Sequence, residues 1–381
     1  MSSDAVPLPH TIGDREVFKR VHAKADGRTL RLYGYAPHRE AALPEQADAV
    51  AKGGELRRHP LRGEWNLYAP HRQNRTFKPS AADDPLAPTR PGAPATEIPF
   101  TDFELAVFDN KFTSLHPEAP APQDIAGLES GVARGACEVV VYGPEAEGDL
   151  HAIGQDKRRL LLAAWIDRYA ELFARGNRFV MPFENRGDAV GVTLHHPHGQ
   201  IYAFPFVPAV QQKAADAFAN GYDLAADLSR GDYRVAEAGG VVATCPPFAR
   251  FPFEVWVAPA RRVAGPWEMT EDEQDGFAHL LGDVTRRYDA TFGQATPVML
   301  SLQAAPVGTE DSWGTEGNWG TEGSWHFHAQ FQPLMRAPGR LKYLASVEQA
   351  TGVFTVDVMP EFAAQTLRRS EGEDAVKGRT Q

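Results

Sequence analysis

Three side chains of one short stretch have the types and spacing to act together. In LHHPHGQIY, residues 194–202, His196, His198 and Gln200 alternate with Pro197 and Gly199. In extended backbone, alternate side chains share a face, so these three are expected to form a polar row with ~7 Å between successive members. Two chemistries use such a row: alternating imidazoles ligate metals, and a single imidazole can attack phosphorus as a nucleophile. Imidazole suits the second because an unperturbed pKa of ~6.5 leaves it mostly neutral at pH 7 and lets it depart afterwards. Pro197 and Gly199 suit an edge strand that a ligand approaches closely, since proline cannot donate to a central ladder. His195 faces away from the row and is expected at the surface.

The same pattern returns at His326, His328 and Gln330, which leads to the elements that carry it. Apolar runs predict strands at EVVVY (138–142), FVMPF (179–183) and FEVWV (253–257), and apolar residues recurring at three and four predict helices near 156–175 and 270–292. Thr270 followed by Glu273 reads as a capping box that opens the second helix. The order strand, helix, strand, then His-x-His-x-Gln strand occurs twice, with EVVVY echoed by EVWVA and Arg168-Tyr169 by Arg287-Tyr288. The offset between copies is 118 at Met181 and Met299 but 130 at His198 and His328, and two consecutive stretches, WGTEGN and WGTEGS (313–324), account for the difference. The chain therefore reads as α+β, a duplicated unit of antiparallel sheet with one long helix per copy. The expected domains are 16–205, with the first motif, and 206–367. Residues 1–15 and 368–381 read as loose termini, and the Pro/Ala-rich stretch Lys78 to Pro99 as a long loop.

Composition narrows the function. At 381 residues, with 43% hydrophobic and 23% charged, the chain is globular in character, and no run nears the ~18 apolar residues of a membrane span. A formal net charge of −11 opposes polynucleotide binding, though a few placed arginines could still hold an anionic small molecule. The N-terminal stretch lacks an export pattern, so a cytoplasmic location is expected. Cys137 and Cys245 are too far apart for a metal knuckle and are expected to be buried apolar residues.

At the motif itself the sequence resembles a known family. FENRGDAVG (183–191) followed by HPHGQI (196–201) is similar to the active-site segment of galactose-1-phosphate uridylyltransferases, a branch of the histidine triad superfamily. The resemblance extends through RRHPLRGEWNLYAPHRQNR (57–75), VFDNKF (107–112), HFHAQFQPL and LKYLASVEQATGVF (341–354), covering about 55–365 with gaps. It implies two fused triad-like domains and a homodimer with active sites at the subunit interface. It also implies a nucleophile at His198, phosphate contacts from Arg72, Arg75, Asn185 and Gly187, and a uridine contact from Asn110 between Phe108 and Phe112. Lys342 and Glu348 match hexose contacts supplied by the other subunit, while Val347 stands where many relatives have tyrosine.

Gln200 replaces the third histidine common in the hydrolytic relatives. An amide can donate to a phosphoryl oxygen without offering an acid, and a departing sugar phosphate is already a stable anion, so Gln200 favours transfer over hydrolysis. Many relatives also bind zinc, but Asp84, Ala87 and Ala146 stand where ligands are expected and only His196 remains. Gln303 and Gln330 likewise replace histidines of a second, iron-type cluster, leaving His328. No metal and no cofactor is therefore expected; His196 is left to orient its neighbours by hydrogen bonds, and His326 with His328 reads as a relic of duplication. The function expected is ping-pong uridylyl transfer between UDP-glucose and a hexose 1-phosphate, most simply galactose 1-phosphate. The alternatives are an adenylyl-transferring relative resembling a dinucleoside polyphosphate phosphorylase, or a non-catalytic nucleotide-binding or metal-sensing protein.

Overall fold

The computed structural model describes residues 4–74, 83–307 and 325–377, with residues 74 and 371–377 as backbone. Arg75 and the WGTEG stretches lie outside the described residues. The first half runs β1 (Val6–Ile12), β2 (Arg15–Ala23), β3 (Thr29–Gly34), β4 (Glu55–Arg58), β5 (Trp65–Tyr68), β6 (Leu105–Asp109), β7 (Ser130–Val132), β8 (Ala136–Val141), α1 (Gly154–Ala174), β9 (Phe179–Arg186) and β10 (His198–Phe204). The second runs α2 (Ala209–Ala219), α3 (Leu224–Leu228), β11 (Arg234–Ala238), β12 (Val241–Thr244), β13 (Val255–Pro259), α4 (Glu271–Phe292), β14 (Val298–Gln303), β15 (His328–Pro333), β16 (Met335–Ala337), β17 (Arg340–Leu341), α5 (Ser346–Thr351) and α6 (Pro360–Lys377).

Twelve of these strands make one sheet in the order β1-β2-β3-β6-β8-β10-β9-β14-β15-β13-β12-β11. The duplication is visible in it. β8-α1-β9-β10 and β13-α4-β14-β15 share one topology, and the copies meet where β9 pairs antiparallel with β14, Glu184 opposite Leu300. Register also corrects the alignment of the copies: Gln200 pairs with Val139 and Gln330 with Trp256, so Trp256 matches Val139 and not Val140. A run of three valines is insensitive to a one-residue slip, which is why the sequence alone misaligns it.

α1 and α4 cover one face of this sheet. Leu161, Tyr169 and Leu172 of α1, Phe277, Leu281 and Tyr288 of α4, and Ile201 and Ala203 of β10 belong to one buried cluster spanning both copies. The repeated Arg-Tyr pair has a structural purpose. Tyr169 and Tyr288 are fully buried; Arg168 lies on a bidentate bond to Glu138 of β8, and Arg287 bonds Asp283 and the Leu367 carbonyl. The capping box forms as expected, with Glu273 N donating to Thr270 Oγ1 and Thr270 N to Glu273 Oε2.

Two expectations need correction. β10 is central, flanked by β8 and β9, because Pro197 stands just outside its first residue and costs the ladder no donor. Residues 6–12, read as a loose end, pair with β2 as an outer strand, and α6 continues past residue 368 to Lys377. The described part of the long loop is packed: Leu86 and Ile98 enter a second buried cluster with Phe100 and Phe108, and Thr89 and Thr96 bond across the turn.

Candidate active site

Alternation along β10 leaves His198, Gln200 and Tyr202 on the half-open face and buries Gly199, Ile201 and Ala203 against the helices. Gly199 is required there. A Cβ would stand 2.7 Å from the Tyr142 hydroxyl and 3.0 Å from the Phe183 carbonyl oxygen. His198 and Gln200 open onto a cavity of about 270 Å³ that Phe108, Asn110, Phe112 and Val139 also line. Asn110 is fixed by accepting the Phe112 N–H at 2.9 Å.

His198 Nδ1 donates to the His196 carbonyl at 2.7 Å. That bond places the ring proton on Nδ1 and the lone pair on Nε2, the form a nucleophile needs. His196 itself is buried; its Nε2 meets the Gly143 carbonyl at 2.8 Å and its Nδ1 meets Asp84 Oδ2 at 2.7 Å. Burial raises the Asp84 carboxyl, but bonds from the His196 ring and the Leu86 N–H outweigh it and hold the group below its usual range. The two ligand-type residues left at the zinc position are thus spent on each other. Among the described residues no three His, Cys, Asp or Glu side chains converge as a metal site, and this donor set does not fit zinc.

Asn185 and Gly187 line a smaller cavity of about 80 Å³ that His196 and His198 also border, so the structure brings them beside His198. Gly187 has φ 92°, a conformation few other residues adopt. Arg72 is engaged through Nη1 with the Phe112 carbonyl, Ser114 Oγ and the Tyr202 hydroxyl, and does not line the larger cavity. Lys342 and Glu348 pair with each other at 3.3 Å in the loop around α5, outside both cavities. His195 is exposed, and both cysteines are buried.

Several cavity residues escaped the sequence reading. Lys24, Asp26 and Arg28 reach it from the β2–β3 turn, with Arg28 bonded to Asp26 and Glu97. No local motif marks them; charged residues in a turn read as solvated surface.

The second copy preserves the backbone bond and borders a different cavity, of about 560 Å³, that Trp256, His328 and Gln330 line. His328 Nδ1 meets the His326 carbonyl at 2.8 Å, but Trp256 stacks on the His328 ring at 4.3 Å and Gln330 Nε2 sits 3.0 Å from its Nε2. Burial pushes the His328 imidazole down to about 4. Where the first copy has Val139, the second has an indole stacked on the imidazole.

Residues 45–208 match the family described as galactose-1-phosphate uridyl transferase, N-terminal domain. The galactose-1-phosphate uridylyltransferase of Thermotoga maritima is 34% identical over 330 residues, 84% of this chain and 99% of the relative. The chain belongs to the galactose-1-phosphate uridylyltransferase family. Its Streptomyces lividans relative of that name is 30% identical over 363 residues, 90% and 95% of the two chains. A solved structure described as a uridylyltransferase aligns with TM-score 0.73 at 25% identity, covering 84% of this chain and 99% of that one. The residues matched by the family's N-terminal model begin after β1–β3, so Lys24, Asp26 and Arg28 come to the cavity from outside that span.

Proposed function

We propose that this protein transfers UMP from UDP-glucose to galactose 1-phosphate in two steps through a uridylyl group on His198. The observation that carries the reading is the His198 Nδ1 bond to the His196 carbonyl, in a cavity shared with Gln200 and Asn110 in a member of this family. Nε2 attacks the α-phosphorus, an N–P bond forms, and the P–O bond to glucose 1-phosphate breaks. The leaving group departs as a phosphate anion and needs no acid, so an amide at Gln200 suffices to hold a phosphoryl oxygen as charge shifts. A phosphate oxygen of galactose 1-phosphate then attacks the same phosphorus and the imidazole leaves.

Asn110, walled by Phe108 and Phe112, is assigned to uridine, Asn185 and Gly187 to the phosphates, and Arg72 and Arg75 to phosphate charge, for which guanidinium forks are suited. His196 holds the nucleophile's tautomer. Lys342 and Glu348, which do not line the cavity of their own chain, are assigned to the hexose of a partner subunit's site, which makes the protein a homodimer; a cytoplasmic location and the division into 16–205 and 206–367 complete the reading. No described helix is long and apolar enough to cross a membrane.

UDP-glucose without acceptor should leave an acid-labile mass increment of one UMP on His198 and release glucose 1-phosphate. His198→Ala should abolish both. ADP-glucose should give little adduct; an adduct of AMP alone, or none with either sugar nucleotide, overturns the reading.

A further inference from the structure

We infer that Asp84 is a positioning residue for the nucleophile, acting through the His196 ring on the carbonyl that holds the His198 proton. The inference rests on the uridylyl-transfer reading and assigns a role to a residue outside the His-x-His-x-Gln row. The carbonyl in question belongs to His196, which precedes β10 and lies outside its ladder. Pro197, next in the chain, has no N–H with which to fix that segment. The ladder engages only one residue later, where Tyr142 N donates to the Pro197 carbonyl at 3.2 Å. The His196 peptide is therefore placed by its own side chain.

That side chain is clamped at both ends. Its two ring nitrogens meet the Gly143 carbonyl at 2.8 Å and the Asp84 carboxylate at 2.7 Å, which sets the plane of the ring. Asp84 is anchored in turn: its Oδ1 accepts the Leu86 N–H at 3.0 Å, and Leu86 is buried in the second apolar cluster. A continuous path runs from that cluster through Asp84 and the His196 ring to the His196 carbonyl and His198 Nδ1.

The second copy supplies an internal comparison. There His326 Nε2 bonds the Pro259 carbonyl at 2.7 Å, but its buried Nδ1 meets no partner among the described residues. The His328 ring is held instead from the front, by Trp256 and Gln330. In the first copy the front of His198 must admit a phosphorus atom, so the ring has to be aimed from behind. A carboxylate on His196 Nδ1 does this, and it stands where the donor set for zinc is incomplete.

The test compares Asp84→Ala and the isosteric Asp84→Asn with the parent protein at saturating UDP-glucose, following UMP adduct on His198 by rapid quench and KM by steady-state exchange. Misaiming a reacting atom by a fraction of an ångström costs turnover and leaves binding in place. Adduct formation should slow about 10- to 100-fold in Asp84→Ala and less in Asp84→Asn, with KM for UDP-glucose within about threefold of the parent. An unchanged adduct rate in both variants, a loss carried by KM alone, or loss of folded protein in both overturns the positioning role. A parent protein that forms no adduct would refute the uridylyl-transfer reading itself, whereas a parent that does, with variants to match, refutes only the role of Asp84.

Discussion

Two copies of one His-x-His-x-Gln motif stand in different surroundings in this chain, and single residues make the difference. His198 and His328 make the same bond to the carbonyl two residues back. What separates them is the residue opposite the glutamine, Val139 in one copy and Trp256 in the other. An indole stacks on the His328 imidazole at 4.3 Å, a contact that a valine does not make. In the proposed reaction Gln200 is the residue that favours transfer over hydrolysis. If it holds a phosphoryl oxygen without supplying a proton, Gln200→His should slow uridylyl exchange by roughly 100-fold, the scale of losing one oriented donor, while hydrolysis of UDP-glucose is kept or rises. Product assay in the presence and absence of galactose 1-phosphate separates the two activities, and unchanged exchange would show the amide to be a bystander.

At the scale of elements, the site depends on β10 fitting between β8 and β9 with no side chain at residue 199. The Tyr142 hydroxyl occupies the space a Cβ would need and donates to Glu184 Oε2 at 2.7 Å. Gly199→Ala must therefore displace that tyrosine or bend the strand that carries His198. It should cost about 1–3 kcal/mol in urea unfolding, the range for overpacking, and lower exchange activity out of proportion to the loss of folded protein. A variant as stable and active as the parent would mean that Tyr142 yields freely.

Across the whole molecule, the sheet passes from one half to the other through the β9–β14 pair, and Glu184 lies in that pair opposite Leu300. Burial pushes its carboxyl up to about 7 from 4.5, with the Tyr142 hydrogen bond and Arg186 pulling the other way. The folded state then binds a proton that the unfolded chain has lost, so the contribution of Glu184 is fully present below about pH 4.5 and disappears as pH rises through about 7. Glu184→Gln cannot titrate. The stability of this variant relative to the parent should rise by up to about 3 kcal/mol between pH 4.5 and 8, at 1.36 kcal/mol per pKa unit. A pH-independent difference in unfolding free energy would show that Glu184 is ionised throughout.

Much of the organisation was legible in the sequence because it is written in local spacing. The period of α1 and α4, the Thr270-Glu273 cap and the His-x-His-x-Gln strands all follow from neighbours a few residues apart, and the duplication follows from their recurrence. The same kind of spacing failed where it met degeneracy or distance. Three consecutive valines hid a one-residue register shift, Pro197 suggested an edge although it stands outside its strand, and β1 shows as a strand only beside β2. Asp84 and His196 are 112 positions apart, and the β2–β3 turn is farther still from His198. Which distant side chain stacks on a ring or accepts a proton is settled by how the chain packs across the sheet, so tertiary structure alone set an indole on the imidazole of one copy and a carboxylate behind that of the other.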